Sequence, residues 1–341
     1  MKIWFSTKCL IPAAGPVWLI FCTSSNALVA QSPPVILEVE TQNSVVYRWD
    51  VLDPSKLASS ASIVPGVGGV FTHWIFFADV VAINGKPAKG VYAVRATTIA
   101  MIPTATAGQS IADVTRSDIA DRHLEIQDAD GTPVGAIVAS GLAGGTAPPG
   151  APTMAFSTNT AVLGGTGAFL GARGQLAHAS GGSARQASMA EMPANRRING
   201  GGSVRVILHL IPASWPEILA TPMGPAIFHG DDFSQVSEQK PARRGELLIM
   251  RAKGLGPTRP GINPGQPFPP YPDGRLHEVN SPVEVKVNES DATVVNKIGW
   301  PTEDNIYRVD FVVPQTVQPG MASVGLRVAW IAGNEVKIPV R

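Results

Sequence analysis

Only two cysteines occur in the 341 residues, Cys9 and Cys22, and both lie within the first thirty positions. The remainder has none, which excludes a disulfide framework, a thiolate metal site and a cysteine nucleophile there. Charge is scarce too: Asp, Glu, Lys and Arg make up 16% of the chain, against roughly 25% in an ordinary soluble domain. The formal net charge is +1, so nothing in the charge balance suggests an electrostatic grip on a nucleic-acid backbone. His73, His123, His178, His209, His229 and His277 are scattered, with no pair at metal-ligand spacing. His-Glu-x-x-His and Gly-x-Ser-x-Gly are both absent, which removes the sequence signatures of a zinc hydrolase and of a serine-hydrolase elbow. The residues assign no metal and no cofactor.

What is abundant is turn-forming residue: 35 glycines and 30 prolines, close to one position in five. Combined with Val-rich runs this predicts an all-β chain. Residues 1–30 carry Lys2 and Lys8 ahead of an apolar run over 9–22 that ends in small residues. This is the plan of a secretory signal, and the run, broken by Pro12, Gly15 and Pro16, falls short of the ~20 residues a membrane span needs. Export to periplasm, cell surface or medium is therefore expected, with no transmembrane span once the signal is removed. Removal of the two lysines takes the formal charge from +1 to −1, which suits a small-molecule or protein partner better than a polyanion.

From 33 to 222 short apolar runs alternate with turn signals. Residues 72–83 are strongly apolar around the single acid Asp79, and Asn84-Gly85 follows, a strong hairpin signal. Residues 123–127 alternate polar and apolar, the DADG run at 128–131 is a turn, and 134–142 resumes. The calcium-loop reading of DADG fails because the later ligand acids are missing. Residues 161–177 form a hairpin whose glycines bend it, and the phosphate-loop alternative lacks the Gly-Lys-Ser/Thr it requires. Residues 177–202, small and polar without an apolar period, read as a long flexible loop, and 204–211 as a closing strand. About eight strands joined by hairpins predict a closed antiparallel barrel.

The run GGTGAFLGARGQ at 164–175, with hairpins over 91–102 and 123–142 before it, resembles the barrel of allene oxide cyclases and plant dirigent proteins. Gly164, Gly165, Thr166, Gly167, Phe169, Arg173 and Gly174 carry the likeness, and are read as structural. The resemblance implies eight strands around an apolar lumen, a trimer, and a lipid-like or phenolic guest whose cyclisation or isomerisation is steered without a cofactor, by confinement. Asp79, Arg95, His123 and Glu125 are the ionisable residues in these strands. They are cavity candidates if they turn inward, and ordinary solvated side chains if they turn out. The resemblance transfers no catalytic set residue by residue, so a cyclase or isomerase and a non-catalytic envelope or adhesion protein with an oligomerising barrel both stay open.

From 223 to 341, short strands recur about every ten residues and predict a β-sandwich. GELLIMRAKGLGP, VEVKVN and YRVDFVVPQTVQPGMASVGLRV are similar to the Ig-like C-terminal module of exported acidobacterial proteins, departing from it at Glu289-Ser290-Asp291. His229-Gly230-Asp231-Asp232 reads as a solvated loop with a cation site as its alternative. Trp300 and Trp330 read as sandwich core or edge, with a carbohydrate platform beside Tyr271 or Tyr307 as theirs.

Overall fold

The computed structural model describes residues 34–50, 72–98, 118–143, 160–179, 182–270 and 276–341. The expected signal at 1–30, Tyr271 and the segments 51–71, 99–117 and 144–159 lie outside the described residues. Among those described there is no α-helix, and no helix long and apolar enough to cross a membrane.

The first module is a barrel of eight strands: β1 (Val35–Asp50), β2 (Thr72–Ile83), β3 (Lys86–Thr98), β4 (Asp118–Gln127), β5 (Pro133–Ala143), β6 (Thr160–Gly167), β7 (Arg173–His178) and β8 (Gly202–Ile211). Each pairs antiparallel with the next, and β1 closes the circle by pairing with β2 on one side and β8 on the other. Asn84 and Gly85 both take positive φ between β2 and β3, the conformation that makes this dipeptide a two-residue hairpin turn. The expected strand starting at 123 begins earlier, at Asp118, and the two short runs expected in 33–51 are one long strand kinked between Gln42 and Val45.

Alternation decides what faces the lumen. On β4, Ala120, Arg122, Leu124 and Ile126 are buried while Ile119, His123 and Glu125 are exposed. Leu37, Val39, Phe76, Ala78, Tyr92, Val94, Ile137, Val162, Leu176, Val206 and Leu208 join the inward set in one continuous core. An eight-stranded barrel is just wide enough to be filled in this way. Charges on the outer wall, among them Glu38, Arg95, Asp121 and Arg205, give it the reverse of the apolar-out pattern of a membrane barrel.

Two expectations are corrected. The 177–202 stretch is no loose loop: Arg185–Gln186 pairs parallel with β1 at Val45 and Val46, and a 3-10 turn follows at Pro193–Arg197. This strap buries Ala187 against Val45 and Tyr47 on the outside of the wall. Its polarity is matched by partners instead of solvent, since Arg196 and Arg197 both bind Asp79 and Arg185 holds Glu191 through two bonds. Further on, the barrel's last strand ends at Ile211, and Glu217–Ile218 already pair with the second module, so the change of module precedes residue 222.

The second module contains β9 (Ile227–His229), β10 (Leu247–Lys253), β11 (Val283–Val287), β12 (Ser290–Gly299), β13 (Ile306–Val312), β14 (Gly320–Val328) and β15 (Ile331–Val340). One sheet runs β10-β13-β12-β11-β14-β15. β12 pairs with β11 through Ser290–Ala292 and with β13 from Thr293 onward, bulging between Val294 and Asn296. A parallel bridge from Ala242 to Val340 brings the last strand back toward the first half. The sheet is therefore folded almost into a second barrel, where two separate sheets were expected. Barrel and second module belong to one compact unit, Pro33–Arg341. Their cores also join: Ala329, Trp330 and Ile331, at the tip of the β14–β15 hairpin, pack in the barrel core. Trp330 is thus neither sandwich core nor a carbohydrate platform, and Tyr307 is buried with its hydroxyl donating to the Gly256 carbonyl at 2.7 Å.

Candidate functional site

The glycine corner closes one end of the barrel. A Cβ on Gly165 would meet the Ala136 carbonyl at 2.5 Å, one on Gly167 the Val134 carbonyl at 2.3 Å, and one on Gly174 the His209 carbonyl at 1.8 Å. These positions bring backbone closer to backbone than any side chain permits. Thr166 Oγ1 accepts from the Ala136 amide at 3.1 Å, and Phe169 turns in to the core at 1% exposure. Arg173 stands exposed at the start of β7. The run resembling the cyclase and dirigent barrel is thus a structural corner, and Trp330 fills the same end from the second module.

Asp79, Arg95, His123 and Glu125 all point outward. Asp79 is the anchor of the strap, bonded by Arg196, Arg197 and Asn43, and those partners hold its carboxyl below the usual range against the opposing effect of burial. Arg95 pairs with Asp121 at 2.8 Å on the outer wall, while His123 and Glu125 are exposed on the same face of β4. None of the four reaches the lumen.

The ionisable groups that do are Arg122, Tyr92 and His178. Arg122 sits on β4 between Val94 of β3 and Ala139 of β5, 1% exposed. Tyr92, fully buried one inward position along β3, bonds His178 Nε2 at 2.7 Å through its hydroxyl, and the rings meet edge to face. The Arg122 guanidinium lies beside that hydroxyl. Burial pushes Tyr92 up to about 12, with Arg122 opposing. Burial and then the Arg122 charge push His178 down to about 3. His178 is therefore neutral, Arg122 can only donate toward the Tyr92 hydroxyl, and the ring's tautomer sets which of Tyr92 and His178 donates in their bond. Arg122 Nε and Nη1 have no partner, an arrangement that buried polar atoms rarely tolerate.

Arg122 was hidden in plain alternation. In DIADRHLEIQ it shares its side of the strand with Leu124 and Ile126, not with His123 and Glu125, so a period-two reading carried through places it inward. Tyr92 alternates with Val94 in the same way. His178 ends a strand of only six residues, too brief for sequence to orient it.

Two other places have site-like features. A cleft of about 730 Å³ lies between the glycine corner and the second module, lined by residues such as Ala168, Leu170, Leu255, Phe268 and Tyr307. Its walls are mostly apolar side chains and backbone, with Ser214, Thr258, Asn263, Asp304 and Asn305 as the further polar side chains. Elsewhere His229, Asp231 and Glu246 bring ligand-type atoms within 4.8 Å of one another. There His229 Nδ1 already meets Glu246 Oε1 at 2.5 Å, its Nε2 meets the Lys240 carbonyl at 3.2 Å, and Glu246 Oε2 accepts from the Arg243 amide. The donors and acceptors satisfy one another, and the solvated-loop expectation fits the exposed Asp231 and Asp232 but not His229, which is buried.

No family model and no curated protein sequence matches the chain. Among solved structures, a polysaccharide lyase aligns over 89% of this chain with 11% identity and a TM-score of 0.17. The chain spans 39% of that lyase's length. A likeness this slight carries no argument about fold or activity.

Proposed function

We propose that this is an exported binding protein whose barrel takes one small apolar molecule, lipid-like or phenolic, at the end opposite the glycine corner. The observation that carries the reading is the polar set of buried Arg122 and Tyr92 with half-buried His178, inside an otherwise apolar barrel. A few polar groups in an apolar surround are what a small-molecule site requires. The other end is filled by Phe169 and Trp330, so entry is from the rim from which the connections 51–71, 99–117 and 144–159 depart. The resemblance to allene oxide cyclases and dirigent proteins supports the same reading, and the leader supports export. The Ig-like likeness of the second module suits an exported chain. A trimer, also implied by the resemblance, would use the apolar residues Ile36, Ile119 and Leu163 exposed on the wall.

Binding is favoured over cyclisation or isomerisation. With Tyr92 near 12 and His178 near 3, neither exchanges a proton near neutral pH, where general acid–base groups need their pKa. The side-chain filling of the lumen favours a second reading, in which the barrel is a non-catalytic block in an envelope or adhesion protein. Native mass spectrometry against a panel of small apolar and phenolic compounds separates the two. A one-to-one complex with a raised thermal midpoint is expected, whereas no complex across the panel would leave the structural-block reading in its place.

A further inference from the structure

Among the described residues, nothing in the barrel lumen balances the positive charge of Arg122. Arginine stays protonated at any working pH, and a buried charge without a partner is among the costliest features a fold can hold. Around Arg122, the inward residues Ala96, Ala120 and Ala139 offer methyl groups and no acceptor. On the same face of β4, Asp118 lies at the rim and accepts from Trp74 Nε1 at 3.2 Å. No ion pair joins Arg122 to an acid among the described residues, and its Nε and Nη1 hydrogens meet no acceptor. Tyr92 and His178 are both neutral, so the set carries a single positive charge.

We propose that Arg122 anchors the carboxylate of a small apolar acid inside the barrel, away from the glycine corner and beside the Tyr92 hydroxyl. This rests on the binding reading above and adds to it the charge of the guest. A monovalent oxyanion cancels the charge, whereas a phosphate dianion would leave an excess negative charge buried. A planar guanidinium pairs with a carboxylate through two N–H groups on one edge; Nε on one edge of Arg122 and Nη1 on the other are unmatched, and Nη2 carries a hydrogen toward each edge. The carboxylate could belong to a free small acid or head a larger apolar one, so the test needs both.

Calorimetric titration of the full chain with acetate, hexanoate and 1-hexanol, repeated on Arg122→Met and Arg122→Gln, makes the distinction. Hexanoate is expected to bind at least ~10-fold more tightly than hexanol, and to lose at least ~10-fold in either variant while hexanol is unaffected. The wild-type comparison of hexanoate with hexanol stands even if a variant fails to fold. Equal binding of hexanoate and hexanol would overturn the charge inference and leave the apolar-guest reading intact. Acetate binding as well as hexanoate, with loss of both in the variants, would support the anion site and overturn the apolar guest. Binding of none of the three would overturn the anchor.

Discussion

At the pH of most assays the ring of His178 is neutral in the folded protein, and burial together with the Arg122 charge keeps it so down to about pH 3. In the unfolded chain the same ring takes up a proton near pH 6.5. Between those values the unfolded state binds more protons, so stability rises with pH and falls as the solution is acidified. The end of β7 leaves His178 only half-buried, so solvent screening reduces the effect. We expect the unfolding free energy to drop by about 1–2 kcal/mol from pH 7 to pH 5, as measured by urea titration. His178→Gln, which retains a hydrogen-bond acceptor for Tyr92, should remove most of that slope. A slope unchanged in the variant would place its origin in another group. The carboxyls held below their usual range, Asp79 and Asp121 among them, act in the same direction but only at lower pH.

The hairpin of β6 and β7 shows how much of an element sequence discloses. The run of glycines announces a corner, and the corner is there, but only the coordinates tell which glycines are required. Gly174 has φ of 143° and a Cβ there would stand 1.8 Å from the His209 carbonyl, whereas a Cβ on Gly164 would meet nothing within 4 Å. Gly174→Ala must push β7 away from β8, and we expect a loss of at least about 3 kcal/mol or failure to fold. Gly164→Ala should change stability by less than about 1 kcal/mol. Thermal unfolding of the pair checks this, and similar midpoints would mean that the β7–β8 approach is looser than described. The strap at 182–201 escaped the sequence reading for a complementary reason. Its fastening is ionic and depends on Asp79 arriving from a strand more than a hundred positions earlier, so no local period records it.

In the whole molecule, the two modules share a core through the hairpin tip at Ala329 and Trp330. Both residues have positive φ, 48° and 63°, a conformation in which side chains other than glycine and asparagine cost on the order of 1–3 kcal/mol. The turn keeps it because the tip is held: Ala329 N–H donates to the Pro282 carbonyl at 3.0 Å, and Trp330 is 4% exposed within the barrel core. Trp330→Ala is expected to lower the unfolding free energy by about 3–5 kcal/mol, the range for truncating a buried large aromatic. Denaturant titration would show it, and a loss below about 1 kcal/mol would mean that the barrel end is closed without the second module.

The period of two, the Asn84-Gly85 turn and the glycine corner determined from sequence alone that this chain is all-β and that its first part rolls into a barrel, because these features act between neighbours along the strand. Tertiary structure alone decided that Asp79 fastens a strap outside the wall, that His178 joins Tyr92 within it, and that Trp330 crosses from one module into the other. Each of those depends on which surfaces meet after the sheets have curved. Closure of the sheets also buried Arg122 where its charge meets no acid among the described residues, since only a closed lumen shuts an inward side chain away from solvent.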